Sequence, residues 1–529
     1  MRQEYWIMAI AWLFVFAWIP IVIATNRKVH PKVLFFLFMV ELWERFSYYG
    51  MRAFLVLYLG AQVMNGGFGM DKETRYAVYA AFGALVYLTP LAGGFLADKI
   101  LGFRRAIIWG AILMAAGQFT LSAGQGNEYA LYLGLALLVT GNGFFKPNIS
   151  SMIGKFYPQG DPRRDQAFTI FYMGINTGAF ISPLTCGAVA QIEGWSYGFL
   201  LAGIGMSVGL GIFLYTSSRG LLEQYADPPA EGIKTFRGLP VGPAVYIGTL
   251  LFVLVAAALI YKNSIVTYLL IALGLAAITY MLVLSFLYPV AERQRIWVLI
   301  TLLFFTSVFW GFFELAGSAL NVFTDENVDK TVFGSPIPAS VFQAVNALFI
   351  VLLAPLFTLM WGLLAKKGLE PAAPVKFAFG LLLLGVGFLI LNLGRGAAVD
   401  GVMPLMFLIL CYLFHTLGEL ALSPVGLSLV TKLAPARVVG FMMGFWFLSS
   451  AIGFQAGGWI AGKSATSGTA TREETMNQAL DVFMLYAPRS DTLFQVWKLW
   501  ANRVASFSRC LVGRSARHPS MALWNLLKS

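Results

Sequence analysis

The chain has 529 residues, 58% of them hydrophobic and only 12% charged, with a net charge of +12. Soluble domains carry about 25% charged residues, so this chain cannot hide its apolar surface in one aqueous core, and a bilayer is the solvent that fits it. The positive balance does not point to nucleic acid, because the Lys and Arg residues fall in short loops between apolar runs.

A spanning helix needs about 20 apolar residues, and such runs recur at about 5–24, 32–60, 77–97, 105–124, 129–147, 166–190 and 196–216. After a polar stretch, Ser217 to Pro240, they continue at 241–261, 265–288, 295–318, 340–364, 374–393, 402–424 and 437–462. Alternate loops are basic: Arg27/Lys28, Lys99/Arg104/Arg105, Lys155/Arg163/Arg164, Lys234/Arg237, Arg293/Arg295, Lys366/Lys367 and Lys432/Arg437. The intervening loops are acidic or balanced, as at Asp71/Lys72/Glu73 and Asp325/Glu326/Asp329/Lys330. The basic set is therefore expected on the cytoplasmic side.

The two ends stand apart. Residues 5–24 have a signal-peptide-like core but only Arg2 before it and no clean cleavage site after it, so they are read as an uncleaved extra helix. From about residue 485 the sequence turns basic and holds no spanning run, so it is expected to lie on the membrane surface or to be disordered. The three cysteines, Cys186, Cys411 and Cys510, are too scattered for a disulfide framework or a zinc site.

Charges inside the spans are the strongest pointers to function, since each costs at least about 2.5–3.5 kcal/mol at the bilayer centre. Helical spacing places Glu41, Glu44, Arg45, Tyr48 and Arg52 along one broad face, with Glu41 and Arg45 four residues apart. Two carboxylates among guanidiniums can hold a proton whose residence depends on the neighbouring charges; the plainer reading is a static ion-pair cluster that orders the bundle. Lys146 ends an apolar run and could equally snorkel to the interface. Glu314 and Glu419 each stand alone in a span, the usual position of a functional carboxylate. Asn176 and Asn346 are also mid-span, where an amide can simply bond a neighbouring helix. His415, four residues before Glu419, is read as a packed or hydrogen-bonded histidine rather than a proton relay. No HExxH, Walker loop or GxSxG element is present, so an enzyme is not expected.

Several stretches carry a family resemblance. The loop Gly93-Gly94-Phe95-Leu96-Ala97-Asp98-Lys99-Ile100-Leu101-Gly102-Phe103-Arg104-Arg105 resembles that of the major facilitator superfamily. Glu41 to Arg52 resembles the ExxERFxYYG element of proton-dependent oligopeptide transporters. Gly143 to Asn148 with Phe168 to Gly178, Phe312-Phe313-Glu314, Phe342 to Asn346 and Gly418 to Pro424 are similar to further motifs of that family, over about residues 30–484.

The resemblance implies an all-α integral membrane protein with the major facilitator fold. It divides the chain into an extra helix (1–29), a six-helix bundle (30–216), a loop and two linker helices (217–294), a second bundle with five recognisable helices (295–484) and an atypical basic tail (485–529). The family's twelfth core helix should follow Ala479 to Phe483; its absence is read as a shifted reading frame or altered end from about residue 485.

The resemblance also implies the function, a proton-coupled symporter importing di- and tripeptides by alternating access in the plasma membrane, as a monomer and with no cofactor beyond the proton. Proton coupling falls to Glu41, Glu44, Arg45 and Glu314, with Lys146 as the cluster's partner. Arg52 and Lys146 would hold the peptide carboxylate, and Glu419 with Asn346 the amino group. Tyr48, Tyr49, Tyr87 and Asn176 would bond the peptide backbone, and Trp310, Trp446 and Ser450 would line side-chain pockets. Gly94, Asp98, Gly102, Arg104 and Arg105 would form a charge clamp at the cytoplasmic gate. An anion carrier, a drug or sugar carrier and a binding-only receptor are the rival readings; the paired Glu41-x-x-Glu44-Arg45 set speaks against the first.

Overall fold

The computed structural model describes residues 3–157, 160–228, 235–236, 239–371, 373–435 and 438–485. The basic tail with its expected frameshift, including Cys510, lies outside the described residues.

The first helices are α1 (Gln3–Asn26), α2 (Lys32–Gly60), α3 (Lys72–Leu96), α4 (Gly102–Ala123) and α5 (Glu128–Lys155). Next come α6 (Arg163–Ser182), continued through a π-helical turn (Pro183–Gly187) into α7 (Ala188–Ile192), and α8 (Trp195–Ser218). The linker helices are α9 (Val241–Tyr261) and α10 (Asn263–Ser285). The second half comprises α11 (Val290–Phe313), α12 (Ala319–Asn327), α13 (Ala344–Lys366), α14 (Ala373–Leu393), α15 (Leu405–Leu433), α16 (Val439–Lys463) and α17 (Arg472–Met484).

Ten described helical stretches are long and apolar enough to cross a membrane, which defines a multi-pass membrane protein. The α2 helix is as long, but its intramembrane charges keep it below that measure. Local chemistry sets the boundaries. Pro31 precedes α2, Asn127 caps α5, and Asp71 caps α3 by accepting from the Thr74 amide at 2.8 Å. Those bonds from Thr74 hold the Asp71 carboxyl below the usual carboxylate range.

Four boundaries differ markedly from the sequence reading. The 129–147 span runs on to Lys155. The 295–318 span runs on to Asn327, broken by a 3₁₀ turn at Glu314–Gly317 and by Ser318. The 402–424 span continues to Leu433. Residues 472–484, which the sequence reading assigned to no span, form α17, because Thr471 and Glu474 make a reciprocal capping box. Phe483 of α17 packs against Phe323 of α12 and Phe388 of α14, with ring centroids 5.8 and 5.5 Å apart.

Helices α2–α8 and α11–α17 make two halves, with α9 against α5 and α3 and with α10 against α11 and α16. The first half is tied by glycine. A Cβ at Gly93 would stand 2.0 Å from the Gly143 carbonyl oxygen, and one at Gly110 2.6 Å from that of Gly141. Lipid supplies no hydrophobic drive between helices, so such close backbone approach is what packs them. The extra helix α1 leans on α6 and its π turn: Trp12 Nε1 donates to Thr185 Oγ1 at 3.0 Å, beside the rings of Trp43 and Phe46. The described strands form two short hairpins, β1 (Thr235–Phe236) with β2 (Leu239–Pro240) and β3 (Thr331–Val332) with β4 (Ser335–Pro336). In the second, Phe333 and Gly334 turn the chain at φ of 50° and 84°.

Gly93→Val should force α3 away from α5. We expect a loss of about 1–3 kcal/mol, read as a lower thermal midpoint in detergent, whereas Gly242→Val, where nothing lies within 4 Å, should leave it unchanged.

Candidate functional site

Between the halves lies a cavity of about 320 Å³. Tyr49 and Arg52 of α2, Tyr87 of α3, Lys146 of α5 and Tyr172 and Asn176 of α6 line it from the first half. The facing wall carries Trp310, Glu314, Gln343, Asn346 of α13, and Tyr412, His415 and Glu419 of α15.

Glu314 sits where the α11 helix gives way to the 3₁₀ turn, so its carboxylate projects from broken helix at the site. Non-helical backbone at membrane depth is tolerated where it lines a cavity. Glu314 makes an ion pair with Arg52 Nη2 of the other half, and both side chains are largely buried. Arg52 Nε donates to Tyr79 Oη at 2.7 Å. This approach needs Gly317, where a Cβ would stand 1.9 Å from Tyr79 Oη. The Arg52 guanidinium also lies 5.6 Å from the ring centres of Tyr49 and Phe454.

On the facing wall, Asn346 Nδ2 donates to Glu419 Oε2 at 3.1 Å and to Thr416 Oγ1 at 2.9 Å. That leaves the second Glu419 oxygen for another partner. Gln343 Nε2 reaches the Ala316 carbonyl oxygen and Tyr412 Oη, at 2.5 and 3.2 Å. His415 packs on Phe388 and against Gly387, with its Nε2 3.4 Å from Cys411 Sγ. Trp310 Nε1 is a buried donor with no partner among the described residues.

Next to the cavity, Arg45 Nε donates to Glu41 Oε1 at 2.7 Å and lies 2.9 Å from Glu44 Oε2. Asn142 Nδ2 donates to Glu44 Oε1 at 3.3 Å, while Glu41 Oε2 accepts from no described group. One guanidinium between two buried carboxylates leaves a surplus negative charge, which a proton can neutralise. The expected partnership of Lys146 with this cluster is not an ion pair within 4.0 Å; its ammonium stands 4.3 Å over the Tyr87 ring and faces the cavity.

Three predicted binding residues are not on the cavity wall. Tyr48 is buried between Tyr49 and Phe82. Trp446 fills the space over Gly426, and Ser450 Oγ bonds the Trp446 carbonyl oxygen of its own helix. Farther along the same α16 stripe, Phe454 packs against Tyr79, Tyr87 and Arg52. Tyr79, Tyr172, Gln343, Tyr412 and Phe454 were not found from sequence; Gly317, which makes room for the first, closes a 3₁₀ turn that only the structure reveals.

The halves are joined tightly at the end away from the basic loops. There Lys72 Nζ lies 2.5 Å from Glu326 Oε2 and Arg75 Nη2 3.7 Å from Glu326 Oε1. Nearby, Ser340 donates from its amide and hydroxyl to Gln191 Oε1 at 2.9 and 2.7 Å, and Asn321 Nδ2 donates to the Ala53 carbonyl oxygen at 2.7 Å. The α3–α16 seam narrows in the same direction. A Cβ on Gly458 would stand 2.1 Å from Ala80, whereas one on Gly444, toward the basic loops, would make ordinary contact with Leu91 at 3.4 Å. The predicted clamp at the basic end is accordingly not made between the halves. Arg104 instead binds the last turn of α8 at Ser217 Oγ and the segment after it at Asp227 Oδ1, both at 3.2 Å, and Gly102 (φ 73°) packs against the Asp227–Pro228 backbone. Asp98 and Arg105 are exposed, and Gly94 abuts Pro147.

A polar cavity between two helical halves, sealed at one end by charge pairs between them, defines a carrier that exposes its site alternately. Residues 104–476 match the POT family model, and the chain belongs to the POT family. It is 39% identical over 454 residues to the peptide transporter YePEPT of Yersinia enterocolitica, covering 82% of this chain and 88% of that one. Dipeptide and tripeptide permease A of Escherichia coli is 32% identical over 454 residues, covering 85% and 87%. The fold is similar to the crystal structure of a mutant of peptide transporter POT with alafosfalin, with a TM-score of 0.79, 36% identity and coverage of 90% and 95%. A POT family transporter in complex with 5-aminolevulinic acid gives a TM-score of 0.79, 30% identity and coverage of 90% and 97%.

Arg52→Met leaves Glu314 buried without its partner, at a cost of about 3–5 kcal/mol to the closed arrangement. With Gln191→Cys and Ser340→Cys introduced, we expect efficient cross-linking in the parent and at least tenfold slower cross-linking in the Arg52→Met and Gly317→Val backgrounds.

Proposed function

We propose that the chain is a proton-coupled symporter that imports di- and tripeptides by alternating access, working as a monomer in the plasma membrane with its Lys/Arg-rich loops in the cytoplasm. No cofactor beyond the proton is required. The observation that carries this reading is the division of charge in the cavity: Lys146 and Arg52 on one half, Glu419 and Asn346 on the other. A peptide backbone is a zwitterion, and a site that holds its carboxylate on one half and its amine on the other draws the halves together. Backbone-directed contacts from Tyr49, Tyr87 and Asn176 leave the side chains free to vary. The relatives' names as peptide transporters and permeases support the same substrate class, as does a relative's complex with 5-aminolevulinic acid, another molecule with an amine and a carboxylate.

The Arg52–Glu314 pair then works as the coupling element. A proton on Glu314 removes the charge that holds Arg52 across the seam, and the released guanidinium becomes available to the substrate carboxylate beside Lys146. Proton and peptide thus favour the same opening. The Glu41–Arg45–Glu44 cluster, two to three turns away on α2, supplies a second place for a proton and lies beside Lys146 rather than bonded to it. The energy is adequate: one proton moving down 100 mV releases about 2.3 kcal/mol, and one pH unit adds about 1.4 kcal/mol. Together these support roughly 500-fold accumulation of a neutral substrate per proton.

In liposomes with an inside-negative potential and acid outside, labelled di-alanine should accumulate against its gradient and stop with a protonophore. Glu314→Gln should abolish accumulation while peptide exchange without a gradient persists; loss of exchange as well would detach Glu314 from coupling. Glu419→Gln should weaken di-alanine binding by about tenfold or more, the worth of a charged hydrogen bond, yet leave the already weak binding of N-acetylated di-alanine unchanged, as read by isothermal titration.

A further inference from the structure

A second cavity, of about 480 Å³, lies between the start of α5 and the end of α9, far from the transport site and at the membrane face opposite the basic loops. It is lined by the polar and aromatic side chains of Glu128, Tyr129, Tyr132 and Tyr261 and by the aliphatic Leu133 and Leu254. Tyr132 and Tyr261 meet edge to face with centroids 5.2 Å apart. Lys262 already places its ammonium 4.8 Å over the Tyr261 ring, so an aromatic face here is holding a cation. Tyr261, Ala258, Leu254, Leu251 and Ile247 follow one another at helical spacing down one face of α9. The last three are about 60% exposed, as a lipid-facing stripe would be.

We infer that this crevice binds a zwitterionic phospholipid bearing a primary amine, with its ammonium against Glu128 and the tyrosine rings, its phosphate on Lys262 and one acyl chain along the α9 stripe. Tyrosines at a helix end are common interfacial anchors, but a plain anchor needs neither a concavity nor a carboxylate among the rings that line it. Aromatic faces attract ammonium groups most strongly when partly desolvated, and a carboxylate in the same lining adds an acceptor for the amine hydrogens. A lipid seated there bridges α5 of the first half and linker helix α9. The site uses none of the peptide-binding residues, so it is independent of the transport reading.

The test is native mass spectrometry of the full chain, purified and then exposed to equal amounts of phosphatidylethanolamine and phosphatidylglycerol. We expect one ethanolamine lipid retained at least tenfold over the glycerol lipid. Glu128→Gln combined with Tyr261→Leu should remove that preference, and Lys262→Met should lower retention of both lipids. The variants should keep the parent's thermal midpoint and di-alanine binding; Leu200→Ala, on exposed α8, should change neither retention nor preference. Equal retention of the two lipids by the parent, or an unchanged preference in the double variant, would overturn the proposal and leave the tyrosines as interfacial anchors only.

Discussion

The structure turns on a carboxylate and a guanidinium that share a low-dielectric interior. Neither Arg52 nor Glu314 could stand alone there, since an isolated buried charge costs several kcal/mol. The pairing of α2 with the end of α11 therefore sets how the halves meet. The helix breaks at Glu314 and frees it to project, and Gly317, lacking a side chain, lets Tyr79 reach the same guanidinium. The bonds of Ser340 with Gln191 and of Lys72 with Glu326 lie outward of this pair and close what it brings together.

The membrane made much of this legible in the sequence. Lipid demands about 20 apolar residues per span, so the helices could be placed, although several run on past the apolar stretch that marks them, and the same solvent makes Glu41, Glu44, Arg45, Glu314 and Glu419 conspicuous by their cost. Tyr79, Tyr172, Tyr412 and Gln343 carry no such cost signal: mid-span tyrosines and amides are common, and only the tertiary arrangement reveals what they face. Trp446 and Ser450 were misplaced for a related reason. Spacing put them on one face of α16, but that face meets the α15 glycine Gly426 before it reaches the site, and Phe454, two turns beyond Trp446, is the residue that arrives. The α17 helix was missed because its first turn is charged, although its capping box was readable in Thr471-x-x-Glu474.

The Gly94–Arg105 loop, expected as a clamp at the basic end, makes its described charge contact within its own half and the segment that follows it. Arg104 sits at the end of the seam that is loose in this structure, so it binds the chain it can reach, the segment around Asp227. Closing the basic end would bring the other half within range and force a choice between partners, which is what a clamp in a two-state carrier requires.

A carrier that rocks must be stiff within each half and reversible between them, and the two kinds of contact here differ in chemistry. Within the first half, Gly93 on Gly143 and Gly110 on Gly141 place backbone on backbone, contacts that no protonation or ligand can alter. Between the halves the decisive contacts are side-chain charges, Arg52 with Glu314 and Lys72 and Arg75 with Glu326, each of which is lost when a carboxylate takes a proton. The α3–α16 seam joins the two regimes, with Ala80 seated on Gly458 at the sealed end and only ordinary contact at Gly444. Motion about that seated end opens the other without unpacking either half. The energy of a single proton then suffices, because the step exchanges one set of ion pairs for another and leaves the glycine-packed helices as they were.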